Sequence, residues 1–274
     1  RDVLGSRGLG DVYKRQLLNS NAITHNYRAI YDYEYTKDSI NSIRGKDVLY
    51  LDISEDISFC FSYYSYQVDS LKSEPNGRKV WRELFSAAIA KDGINATSFP
   101  HKRSTFKITK YNKEDTIYIK DVVDNDIYCY EVSKTEFNWN ICDSIKYIKG
   151  FKSYKARCNY HGREWHVWFT PDIPFNDGPW VLCGLPGLIL EAQDKDRLFL
   201  FKIIGVTSNQ ALKKDWSEDG EKTNRLTFLR KQYNYLRNLN SIFNAEMGTN
   251  IQYNRDTRYL DGLEPDFKMQ RANN

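Results

Sequence analysis

The feature that most constrains the fold is a set of short segments in which large apolar residues alternate with small or polar ones. The clearest segment is Ile57 to Tyr63, where the odd positions are large and apolar and the even positions are small. Successive side chains of a β-strand point to opposite faces of a sheet. This period of two therefore predicts a strand whose odd residues, Ile57, Phe59, Phe61 and Tyr63, face a core.

Similar segments recur along most of the chain, separated by short runs of Gly, Asn, Asp and charged residues. Aromatic residues supply 15% of the sequence, and they favour pleated, half-buried surfaces. Strands of about four to seven residues at near-regular spacing are typical of an antiparallel meander. The predicted strands are 27–35, 47–53, 57–63, 105–111, 116–122, 127–132, 137–142, several within 144–168 that are broken at Gly150 and at His161-Gly162, then 188–192 and 197–206.

Two segments change to helical spacing. In 79–91, Val80, Leu84, Ala87 and Ala88 recur three and four positions apart, and a Gly at position 93 ends the run. The second segment, 223–244, carries five apolar residues along one face, which are Leu226, Leu229, Tyr233, Leu236 and Phe243. The fold class that we expect is mainly β with minor α, a large curved antiparallel sheet, open-barrel or bowl-like, with two covering helices.

Charge and hydropathy indicate which residues belong to the fold and which partners the chain can have. Formal net charge is +4, and residues 1–16, with four Lys/Arg against two Asp, supply half of it. Residues 1–16 show neither periodicity and look like translated adapter or vector sequence, so we expect them to lie outside the fold. We expect residues 17–244 to form a single domain and residues 245–274 a polar C-terminal tail. The small positive charge predicts no nucleic-acid partner, and no apolar run approaches the roughly 18 residues of a transmembrane segment.

The sequence contains no recognisable motif for catalysis or metal binding. The five cysteines form no CxxC pair, which argues against a zinc ribbon or a thioredoxin-type site, and spacing leaves disulfide pairing open. His161 and His166 lie five residues apart with Glu164 between them, and an odd separation on a strand places two imidazoles on opposite faces. We therefore expect no metal and no cofactor. Cys158 is three residues from His161, which is weak support for a Cys nucleophile.

The most distinctive segment is 162–190, GREWHVWFTPDIPFNDGPWVLCGLPGLIL. Its ordered elements, preceded by a Lys-Ala pair at 155–156, are Gly162-Arg163, Trp168-Phe169-Thr170, Ile173-Pro174, Gly178-Pro179-Trp180 and Gly184-Leu185-Pro186-Gly187-Leu188-Ile189. In these elements the chain resembles the GLPGLI family of Bacteroidetes, over about residues 21–242. Members are largely uncharacterised and usually start with a secretion signal, so the resemblance implies an exported, periplasmic or cell-surface protein.

The physical reading of this motif is structural. Pro186 fixes φ near the value that the second position of a turn needs, and Gly187 accepts the positive φ that a type II turn then requires. Residues 185–188 thus predict a tight turn that starts the strand at Leu188. Gly184 is expected to permit a close backbone approach. None of these residues is a nucleophile, a base or a metal ligand.

Two functions from different classes follow. The family's arrangement is similar to bowl-shaped β-domains attached to exported bacterial glycosidases, and more distantly to periplasmic lipoprotein carriers. We expect a non-catalytic cell-envelope binding or accessory module whose concave, aromatic-rich face holds a peptide, glycan or apolar ligand, or an envelope protein partner. The candidate binding residues are Arg163, Trp165, Trp168 and Trp180, although a structural role for Arg163, in a pair with a carboxylate or in hydrogen bonds to turn carbonyls, is favoured over a binding role. The alternative is a hydrolase whose acid and base come from separate strands.

Overall fold

Twelve strands and four helices make up the described part of the chain. The structure is a computed structural model, and it describes residues 26–38, 43–93, 98–208, 219–247 and 262–269. The strands are β1 (Tyr27–Asp38), β2 (Ile43–Ile53), β3 (Ile57–Ser62), β4 (Lys107–Tyr111), β5 (Thr116–Val123), β6 (Asp126–Ser133), β7 (Asn140–Ile148), β8 (Phe151–Tyr160), β9 (Arg163–Thr170), β10 (Leu188–Asp194), β11 (Phe199–Ser208) and β12 (Glu221–Lys222). The helices are α1 (Tyr63–Ser73), α2 (Gly77–Asp92), α3 (Arg225–Met247) and the one-turn α4 (Asp266–Met269).

All twelve strands belong to one open sheet. Its order is β12-β6-β5-β4-β3-β2-β1-β11-β10-β9-β8-β7. Every neighbouring pair is antiparallel except β12 with β6, which is parallel. The predicted mainly β fold with a large antiparallel sheet is confirmed.

One face of the sheet, here called the inner face, encloses the principal core. A single apolar cluster contains side chains from both ends of the strand order, for example Tyr130 on β6 and Tyr160 on β8. A flat sheet of this width could not bring those strands to one cluster, so the sheet curves around its core.

The chain itself fills the space inside this curve. Residues 171–187, here called the β9–β10 connection, place five apolar side chains in the core with 4% exposure or less: Ile173, Trp180, Val181, Leu182 and Leu185. The hydroxyl of Tyr31 on β1 donates to the carbonyl of Ile189 at 2.7 Å. From the other side α3 packs Phe228 on Tyr130 with ring centroids 5.0 Å apart. The predicted bowl is therefore occupied by its own connection and by α3.

The orientation of β3 differs from the prediction. Ser58 and Cys60, at even positions, have no exposed surface and lie on the inner face opposite Ile53 and Leu51. The odd residues Phe59 and Phe61 are also buried, but on the other face and outside the principal core cluster. Phe59 and Phe61 are therefore buried as predicted, but not in the principal core that the sheet encloses. Tyr63 does not belong to the predicted strand, because it is the first residue of α1. Small residues line the inner face because the β9–β10 connection approaches there.

The helices also differ from the prediction. The structure has α1 where no helix was expected, and α2 extends the predicted 79–91 by two residues at its start and one at its end. Val80 and Leu84 are 41% and 43% exposed, so α2 does not cover the sheet as predicted. The third helix, α3, does cover the inner face, and its Phe228 and Leu229 are buried. The side chain of Phe243 and residues 1–25 lie outside the described residues.

The turn before β10 keeps the expected positive φ but not the expected close approach. Gly187 has φ 142°, and a Cβ there would lie 2.1 Å from the carbonyl oxygen of Thr170. A Cβ at Gly184 would lie 3.7 Å from its nearest neighbour, Nε1 of Trp139. The Leu188 amide donates to Ile173 at 3.0 Å, where a type II turn would use Leu185. The position that needs a bare backbone is therefore Gly187 and not Gly184.

Residues 262–269 of the polar C-terminal tail pack against the sheet, with Glu264 and Phe267 buried, a contact that the composition of the tail did not predict. Within the described ranges, no helix combines the length and the apolar character needed to cross a bilayer.

Candidate functional site

Arg163 begins β9 on the inner face and is 7% exposed. Its Nη1 lies 3.0 Å from an Asp194 carboxylate oxygen on β10. Its Nε and Nη2 donate to the carbonyl of Gly262 at 3.1 and 2.7 Å, and the guanidinium lies over the Phe199 ring at 4.6 Å. These contacts tie β9, β10 and the C-terminal segment together.

Trp165 and Trp180 also lie in the principal core. They are 0% and 4% exposed, with ring centroids 5.6 Å apart. The Trp180 amide donates to Cys60 Sγ at 3.2 Å. Trp165 Nε1 and the Tyr160 hydroxyl are buried without a hydrogen-bond partner in the described part of the chain. Three of the four predicted binding residues are thus brought together, but inside the molecule.

Trp168 points to the opposite, outer face. Lys146 Nζ lies 4.5 Å from the centre of the Trp168 ring and also forms an ion pair with Glu191. This face continues across the neighbouring strands, because each residue of a row is paired with the next: Trp168 on β9 with Glu191 on β10, Glu191 with Lys202 on β11, and Lys202 with Asp32 on β1.

A cavity of about 450 Å³ lies beside Trp168, and we call it the outer-face cavity. Its lining includes Asp32, Lys146, Tyr147, Glu191 and Lys202. Tyr147 on the edge strand β7 is 73% exposed. The cavity therefore offers charges of both signs beside exposed aromatic surface, which suits a polar ligand with an apolar face.

A buried ion pair crosses the core from β4 to the β9–β10 connection. Lys110 Nζ pairs with Asp177 and donates to the carbonyls of Gly178 and Leu182 at 2.8 and 3.3 Å. The Ser58 hydroxyl donates to the same carboxylate. Burial is the largest single influence and lowers the pKa of Lys110, but the charge and hydrogen bond of Asp177 together with the nearby thiols of Cys183 and Cys60 outweigh it, so the net pKa lies above its ordinary value and the amine stays charged.

Sequence reasoning missed this pair, although a signal was present. Lys110 follows Phe106 and Ile108 at the same alternating positions, and a Lys in an inward-facing series predicts a buried carboxylate partner. No comparable pattern marks Asp177, because the irregular connection that carries it has no periodicity.

A convergence of five ionisable groups is centred on His161, in the turn between β8 and β9. His161 Nε2 lies 2.6 Å from a Glu136 carboxylate oxygen, and Nδ1 pairs with Glu264. Arg225 on α3 lies 2.6 Å from Asp266. Burial lowers the pKa of His161, but Glu264 and Glu136 raise it above its ordinary value. We call these five residues the His161 cluster, and they hold the segment 262–269 against the sheet.

The cysteines are not arranged for nucleophilic chemistry. All five thiols are free. Burial raises the pKa of Cys60 and Cys158 to about 12 and that of Cys183 to about 11, which disfavours a thiolate. In the described ranges Cys158 has no hydrogen bond to a histidine, and no group of three His, Cys, Asp or Glu side chains is placed to share a metal ion.

Comparisons with known proteins give one partial family match and one similar fold. Residues 101–191 match the model of a family described as "Protein of unknown function (Porph_ging)". No curated protein matches the sequence. Two solved structures of PNGF-II, in the P21 and C2 space groups, are similar in fold, with TM-scores of 0.53 and 0.52 at 13% identity over 77% of this chain. The chain spans only 34% and 33% of their length.

Proposed function

We propose that the protein is a GLPGLI-family member that acts as an exported, non-catalytic binding or accessory module of the cell envelope. The matched residues 101–191 include the whole of the distinctive segment 162–190, which supports the family assignment. Export rests on the resemblance to that family. The partner is a peptide, a glycan or an apolar ligand, or a protein of the envelope.

The observation that carries this proposal is the occupied interior. A catalytic bowl would leave its inner face open to substrate, but here the β9–β10 connection and α3 fill it with buried side chains. Trp168 is the predicted binding residue that keeps exposed surface, and it lies beside the outer-face cavity. We therefore place ligand contact at Trp168, with Arg163, Trp165 and Trp180 supporting the strand behind it.

A binding screen with one variant tests this proposal. Purified protein is applied to glycan and peptide arrays, and each hit is titrated against Trp168→Ala. Loss of the indole should weaken binding by about tenfold or more, as for aromatic anchors in general. Tyr111→Ala, which removes a 38% exposed aromatic elsewhere, is the matched control. Hits that bind Trp168→Ala and the wild type equally would refute a site at Trp168.

The His161 cluster is the one observation that favours the alternative, a hydrolase. Glu136 is partly exposed and contacts His161, which in turn contacts the buried Glu264. Under our proposal the protein releases no product from glycoside, amide or peptide substrates. Turnover that disappears in Glu136→Gln, with folding unchanged, would establish the alternative instead.

A further inference from the structure

A second cavity, of about 670 Å³, lies between α1 and α2, far in sequence from Trp168. We call it the α1–α2 cavity. It is lined by Asp69, Lys72, Ser73, Arg78, Trp81 and Arg82. The helix pair follows β3 directly, and only Gly77 and Ala88 of α2 are buried. The cavity is therefore a surface feature that the packing of the principal core does not explain.

The charges around this cavity are unbalanced. Three of its lining side chains are cations, and Asp69 is its one carboxylate. That carboxylate already receives Lys102 at 2.5 Å and Lys107 at 3.2 Å. Across the described ranges none of the three lining cations, Lys72, Arg78 and Arg82, has a carboxylate within 4.0 Å.

Lys72 is held in place by an aromatic platform. Its Nζ lies 3.7 Å from the centre of the Trp81 ring, a cation–π contact. Trp81 is itself fixed, because its Nε1 donates to the carbonyl of Pro100 at 2.7 Å and its ring is parallel to that of Phe85. The ammonium group is thus oriented before any ligand arrives, which reduces the entropy lost on binding.

The neighbouring cations repel one another. Burial lowers the pKa of Lys72 most, and Lys102 lowers it next; Asp69 opposes them, and Arg78 adds a smaller lowering of its own. A negative group between Lys72 and Arg78 would relieve this repulsion and accept charge-assisted hydrogen bonds from both.

We propose that the α1–α2 cavity binds a small organic anion, a molecule that carries a carboxylate, sulfate or phosphate group, with Lys72 and Arg78 as its charged contacts and Trp81 as the positioning residue for Lys72. The volume lies in the range of about 300–1,000 Å³ that holds whole small molecules, so the ligand extends beyond its charged group. This site is separate from the Trp168 surface and does not depend on it.

The test is a calorimetric titration of the full chain with four probes: glucose 6-phosphate, glucuronate, inorganic phosphate and glucose. We expect saturable binding of at least one sugar anion, weaker binding of inorganic phosphate, none of glucose, and loss of affinity as salt is raised. Lys72→Gln and Arg78→Gln should each weaken that binding by about tenfold or more, as expected for one charge-assisted contact.

Three controls separate this site from the rest of the molecule. Lys91→Gln removes an exposed cation from the far end of α2 and should bind as the wild type does, as should Trp168→Ala. Thermal unfolding checks that each variant is folded. Absence of saturable binding to both sugar anions would overturn the proposal, and so would equal affinity of the wild type, Lys72→Gln and Arg78→Gln. Equal affinity for inorganic phosphate and the sugar anions would overturn the organic part of the ligand.

Discussion

Asp121 on β5 is a carboxylic acid in an apolar setting, and the effect of its burial on the free energy of unfolding depends on pH. It is 7% exposed and accepts hydrogen bonds from the Thr105 hydroxyl at 2.5 Å and the Val122 amide at 2.7 Å. Burial raises its pKa from 3.8 to about 6, although both hydrogen bonds lower it. Because the folded protein holds this proton more tightly than the unfolded chain, Asp121 reduces the free energy of unfolding as pH rises from about 4 to about 6.

Asp121→Asn should remove this contribution while keeping both accepted hydrogen bonds, because the amide oxygen replaces the carboxylate. At pH 8 the variant should be more stable than the wild type by roughly 2–3 kcal/mol, the equivalent of about two pKa units, and near pH 4 the two should be nearly equal. Urea unfolding at both pH values measures the difference. A stability difference that does not change between pH 4 and pH 8 would contradict the raised pKa.

At the scale of residues, the sequence predicted that side chains alternate between two faces better than it predicted which face each side chain takes. The period of two over 57–63 located β3, but the faces of Ser58 and Phe59 were interchanged, because size alone does not show whether a small residue faces solvent or an approaching backbone. The same ambiguity explains why Trp165 and Trp180 were predicted to bind ligand and lie in the core. An isolated aromatic residue carries no sign of which side it faces.

At the scale of elements, charged contacts join the segment 262–269 to the rest of the fold. Glu264 is 5% exposed, pairs with His161 and lies 3.5 Å from Arg225. Its neutralisation removes the ion pair with Arg225 and weakens the hydrogen bond with His161 in a buried setting. In Glu264→Gln we therefore expect faster amide hydrogen exchange in 262–269, with little change in β1 or β2.

The control for this prediction is Glu83→Gln, at an exposed position on α2, which should leave exchange in 262–269 unchanged. If Glu264→Gln exchanges there at the wild-type rate, the His161 cluster does not hold the segment, and the apolar contact of Phe267 with Tyr233 and the hydrogen bonds from Arg163 to Gly262 do.

The elements themselves were predicted unevenly. Ten of the strands β1–β11 were located to within a few residues, because hairpin breaks of Gly, Asn and Asp separate them. The exception is β7, which was predicted as one strand over 137–142 and the start of another at 144 but is a single strand from Asn140 to Ile148. No helix was predicted at α1, because Tyr63, Tyr64 and Tyr66 favour strands. A helix start was nonetheless available at Ser62, whose side chain accepts from the Ser65 amide, an N-cap contact. The two-residue β12 is too short to have a period.

At the scale of the whole molecule, the pair of Lys110 and Asp177 braces the curved sheet across its interior. Lys110 lies on β4, and Asp177 belongs to the connection between β9 and β10, on the other side of β1 in the strand order. Both halves of the sheet are therefore joined through one buried ion pair as well as through β1 and β11.

Lys110→Met should lower the free energy of unfolding by about 3–5 kcal/mol, because it leaves the Asp177 carboxylate buried without its partner. The double variant Lys110→Met/Asp177→Asn should recover part of this loss. Lys113→Met, which removes a solvent-exposed pair with Asp56, should have little effect. Chemical denaturation measures all three. A Lys110→Met protein as stable as Lys113→Met would show that the pair is not a brace.

The filling of the sheet by its own later residues has a consequence for biosynthesis. The hydrogen bond of Tyr31 to Ile189 cannot form until a residue 158 positions downstream has been synthesised, and that of Ser58 to Asp177 needs a residue 119 positions downstream. Chains dominated by such distant contacts fold slowly. During translation the apolar inner-face side chains of the first six strands therefore lack their packing partners until β9, its connection and β11 have left the ribosome, and we expect the nascent chain to bind chaperones in that interval.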